Sequence, residues 1–134
     1  MKPVVDVVTL LFFGLIAVVS ANSVVKRDVF VPKITNPHLG TILEVGQKYN
    51  VTWDTDNAPA QITNPLGQII FAQDGRLVGL DHPLTANFSI LKGWEEITVP
   101  FVETDFDYAV VLIGDSGNFS PNFSILNLNR PIPL

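Results

Sequence analysis

The chain predicts an all-β fold, an immunoglobulin-like or fibronectin type III-like sandwich of about seven strands. Three observations carry this. Short apolar stretches are separated by turn residues at even spacing over about 100 residues. The stretch Lys48–Asp54 alternates polar and apolar residues with period two. No segment after Asp28 shows a helical stripe of useful length.

In order, Val29–Ile34 reads as an extended lead strand, with Pro32 marking an edge or a break because it has no N–H to give a ladder. Thr41–Val45 is a short second segment, ended by Gly46-Gln47. Tyr49, Val51 and Trp53 then point one way and Lys48, Asn50, Thr52 and Asp54 the other, so Trp53 is predicted inside and Asn50 outside. Leu66-Gly67 leads into a strand at Gln68–Ala72, closed by the turn pair Asp74-Gly75. Leu77–Leu80, Asn87–Leu91 and Glu95–Val99 follow as further strands. Tyr108–Ile113 is an almost unbroken apolar run, the mark of a central strand buried on both faces. Gly114–Gly117 reads as a tight connection, and Asn122–Asn127 as the last strand. The predicted core is Val51, Trp53, Ile70, Ile97, Val110, Leu112, Phe123 and Ile125.

Residues 1–21 are not expected to join this fold. Lys2 precedes an apolar run from Val7 to Val19, and Val19-Ser20-Ala21 ends in the small residue a signal peptidase requires. The run is short for a bilayer span, which takes about 20 apolar residues. Secretion is therefore expected, with cleavage after Ala21. Residues 22–27 form a possible pro-segment ending in the dibasic pair Lys26-Arg27, a second processing site after Arg27. Residues 28–134 are the single predicted domain. The C-terminal residues lack the small-residue site, spacer and hydrophobic tail of a lipid-anchor signal, so no membrane anchor is expected in the mature form.

From Asp28 on, five basic residues face twelve acidic ones, a net charge of −7. Phosphate backbones and anionic lipid both demand Lys/Arg clusters, so nucleic acid is excluded as a partner and membrane docking is disfavoured. There is no cysteine, which removes thiol catalysis and disulfide staples. A domain of about 107 residues can be held by its core alone. Four Asn-x-Ser/Thr sequons, at Asn50, Asn87, Asn118 and Asn122, are candidate N-glycosylation sites. Pro121 directly after Ser120 disfavours the one at Asn118.

No enzyme is expected. His38 and His82 stand apart in turns, and no nucleophile, metal or phosphate-loop motif is present. Copper-dependent polysaccharide oxidases expose an N-terminal histidine; here the new terminus is Asn22 or Asp28. The carboxylates Glu95, Glu96, Glu103, Asp105 and Asp107 fall near strand ends, where such groups are solvated, and a glycosidase needs two facing each other across a cleft. Asp54-Thr55-Asp56-Asn57 lacks the spacing of a calcium loop. No cofactor or metal is predicted. The better lead is aromatic: Trp94, beside Gly93 at a loop or strand start, is expected to be the more exposed tryptophan, and Glu95 and Glu96 can accept hydrogen bonds from sugar hydroxyls.

Ile34-Thr35-Asn36-Pro37, Gly46–Trp53, Val99-Pro100, Tyr108–Ser116 and Phe119–Ile125 together resemble a fungal family, the N-terminal domain of the yeast Kre/Knh-like cell-wall synthesis proteins. That domain also occurs in Ser/Thr-rich GPI-anchored membrane proteins. The resemblance implies an extracellular immunoglobulin-like domain tied to β-1,6-glucan assembly, and it carries no catalytic residue. The expected role is a secreted wall-associated module partnered by β-glucan. The alternatives are a protein-binding effector or adhesin-like module, with an extracellular protein as partner, and a small carbohydrate-active enzyme.

Overall fold

The computed structural model describes residues 29–129. The signal and pro-segment, with Ala21 and Arg27, lie outside the described residues. Ten strands pack as two sheets: β1 (Ile34–Asn36), β2 (Ile42–Glu44), β3 (Lys48–Trp53), β4 (Leu66–Gln73), β5 (Arg76–Val78), β6 (Thr85–Ser89), β7 (Trp94–Thr98), β8 (Asp105–Ile113), β9 (Gly117–Phe119) and β10 (Phe123–Leu126). One sheet has the order β1-β3-β7. The other runs β2-β10-β8-β4-β5, with β6 also paired to β4 and β9 to β8. The trio β1-β3-β7 facing β10-β8-β4 matches the A-B-E against G-F-C arrangement of immunoglobulin-like sandwiches. The chain is thus an all-β sandwich of the immunoglobulin and fibronectin type III class. Among the described residues ten strands stand where about seven were expected: nine of them overlap the nine segments read above as extended, and β9 is the addition.

The core lies where the two inner faces meet. Val51, Trp53 and Ile97 from the smaller sheet pack with Ile69, Phe71, Val110, Leu112, Phe123 and Ile125 from the larger. All eight residues predicted for the core are buried. Ile70 is buried on the other side of β4 from Ile69 and Phe71. With Ala72, Ala109 and Val111 it makes the β4–β8 pair apolar on both faces, which is why Tyr108–Ile113 reads as a continuous run. Asp74 and Gly75 both adopt left-handed backbone and close the β4–β5 hairpin as expected.

Four expectations are corrected. Val29–Lys33 joins no ladder, and the strand begins only at Ile34. Pro32 has no N–H, and the segment is held by single bonds instead: Asn118 Nδ2 donates to the Pro32 carbonyl, and Asp54 N to that of Lys33 at 2.9 Å. Gly67 is inside β4 rather than before it, because the Phe88 ring lies over it; a Cβ there would come within 2.8 Å of that ring. Ile90 is not in a strand but opens a one-turn 3₁₀ helix, Ile90–Lys92, capped by Ser89. The connection after Gly114 contains β9, whose ladder to Val111–Ile113 is continued by Ser120: its N–H reaches Val110 O at 2.8 Å, and its Oγ accepts from Val110 N at 3.0 Å.

Tyr108 fixes the start of β8. Its ring stacks on Phe71 at 5.1 Å, and its hydroxyl donates to Glu103 O at 2.6 Å, five residues back. This is the tyrosine corner of such sandwiches. Burial, then the carboxylates Asp105, Asp107 and Glu103, push the phenol's pKa above its ordinary value. A raised pKa means that the folded state holds this proton more tightly than the unfolded one. The stabilisation is complete below about pH 10 and is lost as pH climbs through the folded value. Tyr108→Phe should cost about 1 kcal/mol at pH 8. In urea melts across alkaline pH that deficit should shrink; a constant deficit would refute the linkage.

Candidate functional site

The outward face of the three-stranded sheet brings the predicted ligand residues into one place. Gly93 ends the 3₁₀ turn at φ 85, left-handed backbone that glycine adopts freely, and its carbonyl accepts from Trp53 N at 2.9 Å. The chain then enters β7 with Trp94 opposite Thr52, Glu95 opposite Val51 and Glu96 opposite Asn50. Paired residues share a face, so Trp94, Thr52, Glu96 and Asn50 point outward together while Glu95 follows buried Val51. Trp94 is 45% exposed, against 4% for Trp53.

The glutamates named with Trp94 therefore part company. Glu96 lies on its face, two residues along, in an exposed pair with Lys48 at 3.7 Å. Glu95 is turned toward the other face, its side chain 19% exposed, and pairs with Lys92 at 3.0 Å. Lys92 joins the site as a residue that the sequence pattern does not mark. Its ammonium stands 3.8 Å from the centroid of the Trp94 ring, a cation–π contact, so one face of the indole is already covered. Thr35 and Thr52 complete the row beside Trp94, their hydroxyls 2.7 Å apart. The result is a polar sheet surface with one aromatic ring braced by a cation. Such a surface can stack one sugar ring and offer hydroxyl, amide and carboxylate groups around it. Since Glu95 and Glu96 point to opposite faces, they do not flank one glycosidic bond.

The sequons fall in different settings. Asn50 is exposed and its side-chain amide has no partner among the described residues. Asn87 and Asn122 are exposed on or beside the larger sheet. Asn118 is half-buried and tied to Pro32, while the hydroxyl of its partner Ser120 is buried and donates to Pro121 O at 2.9 Å. His38 and His82 are exposed. Asp54 accepts from Asp56 N at 2.8 Å, forming an Asx turn. Among the described residues, no three His, Cys, Asp or Glu side chains gather to hold a metal.

An open depression of about 620 Å³ is lined by Val29–Lys33, Asp54, Asn57 and Pro59. Elsewhere Phe101, 74% exposed, borders a hollow of about 320 Å³ with Val102, Glu103, Asn127 and Asn129.

No family model and no curated protein matches the chain. Among solved structures it is similar to the fibronectin(III)-like modules of CbhA from Clostridium thermocellum, at 16% identity and a TM-score of 0.39. The match covers 72% of this chain and 94% of that one.

Proposed function

We propose that the protein is a secreted, non-catalytic module of the fungal cell wall that binds β-glucan through the Trp94 face. The observation that supports this reading is the half-exposed Trp94 on the outward face of the sheet, flanked by Thr52, Asn50 and Glu96 and braced by Lys92. Sugar rings stack on such surfaces, and their hydroxyls take hydrogen bonds from side chains held by a ladder. One indole with one free face gives weak binding, in the millimolar-to-micromolar range, or about 4–8 kcal/mol with its neighbours. Insoluble β-1,3- and β-1,6-glucan should retain the secreted protein without release of soluble sugar. Trp94→Ala should abolish retention while leaving the melting midpoint unchanged, and neither chelator nor moderate salt should matter. Equal retention of the folded Trp94→Ala protein would rule the site out.

The protein-binding alternative is favoured by a different feature, the exposed Phe101 at the hollow formed with Val102 and Asn127. If that reading holds, Phe101→Ser loses an extracellular protein partner, and Trp94→Ala does not.

A further inference from the structure

We propose that Asn50 carries an N-glycan that lies across Trp94, so that the protein's own sugar shields the face read above as a glucan site. This deepens that reading and rests on it for its consequence, though the shielding itself stands on the sheet geometry.

Asn50 is on β3, the central strand of the three-stranded sheet, and its Cα partner is Glu96 on β7. Trp94 is two residues from Glu96 along β7, opposite Thr52 of the same sequon. Asn50 and Trp94 are therefore diagonal neighbours on one face, a separation of about 7–8 Å in a β-ladder. A sugar linked to Asn50 Nδ2 is carried outward by the length of the side chain and spans that gap. Of the four sequons this is the only one on β3, β7 or β1; Asn87 is on β6, Asn122 precedes β10, and Asn118 is on β9.

The local chemistry is ready for it. The Asn50 amide is exposed and uncommitted, whereas its backbone is fixed, with its carbonyl accepting from Asn36 Nδ2 at 3.1 Å. The asparagine is thus held in place while the group that would carry the sugar is free. Lys92 covers one side of the indole, and among the described residues of β1, β3 and β7 Trp94 is the one exposed large apolar side chain. The apolar side of an N-acetylglucosamine ring matches it, and Glu96 and Thr52 stand between the two to meet its hydroxyls. A glycan seated there competes with any polysaccharide chain for the same ring. Occupancy of Asn50 then lowers, without abolishing, the access of a polysaccharide to this face.

The test uses the full chain secreted from a eukaryotic host. Intact glycopeptide mass spectrometry should find Asn50 occupied. Trp53 is buried, so acrylamide quenching of tryptophan emission reports on Trp94. Asn50→Gln should raise the quenching constant about twofold, and Asn87→Gln and Asn122→Gln should leave it unchanged. Enzymatic removal of glycans from the folded glycoprotein should give the same rise, which separates shielding from any folding defect of the variant. Trimming to a single N-acetylglucosamine should keep most of the protection. An unoccupied Asn50, or quenching indifferent to its glycan, overturns the proposal. Retention on β-glucan is scored in parallel: Asn50→Gln should gain about two- to tenfold over the glycosylated protein. If quenching rises as expected and no form binds glucan, the shielding stands and the glucan reading falls.

Discussion

Replacing Trp53 with alanine is expected to cost about 3–5 kcal/mol, the range for removing a buried aromatic side chain. The indole is enclosed between the sheets and tilted against Phe88 with ring centroids 5.6 Å apart. Its Nε1–H also donates to Ile90 O at 2.7 Å, the bond that secures the 3₁₀ turn beneath Trp94. Alanine leaves that buried carbonyl without its donor, an added cost of about 1–3 kcal/mol, which puts the total at the upper end. Against a typical stability of about 5–15 kcal/mol, the variant should be largely unfolded at moderate urea. Trp53→Phe keeps the ring volume but not the donor and should fall between. Urea melts followed by far-UV circular dichroism decide the matter, and an unchanged midpoint for Trp53→Ala would mean that the side chain is not in the core.

The second large effect is expected at Phe71→Ala, also about 3–5 kcal/mol. Phe71 stands on the opposite sheet, stacked on Tyr108 with an interplanar angle of 29°. Its removal opens the core beneath the tyrosine corner. Trp53 faces Phe71 from the other sheet within the same core cluster. Losses that share neighbours do not simply add, so the double variant should depart from the sum of the two singles. Tyr108→Phe and Phe71→Ala, whose rings touch, should likewise show measurable coupling. Strict additivity of Tyr108→Phe and Phe71→Ala would contradict the stacking.

Much of this was legible in the chain. Period-two alternation placed Trp53 inside and Asn50 outside, and Asp74-Gly75 announced its hairpin. The same alternation also separates Glu95 from Glu96, since neighbours on a strand face opposite ways. A strand read as starting at Glu95 leaves its phase relative to Trp94 undefined, so nearness in sequence alone joins both glutamates to the indole. The position of Lys92 was hidden for another reason: it depends on a 3₁₀ turn whose residues Ile90-Leu91 read as strand. The tyrosine corner depends on where the loop before β8 carries the Glu103 carbonyl, and side-chain patterning is silent about that. β9 is three residues long, shorter than any periodicity can register.

One pairing bears on how such a domain meets a pull. β2 and β10 run parallel, with Ile42, Leu43 and Glu44 beside Ser124, Ile125 and Leu126. The chain enters β2 from the side of Val29 and leaves β10 toward Asn129, at opposite ends of the pair. Tension between those two points slides one strand along the other, so the bonds of this ladder are loaded together rather than peeled in turn. Val45 N, donating to Leu126 O at 3.1 Å, extends the same clasp by one more bond. The edge of the larger sheet thus works as a shear joint between the two ends of the domain.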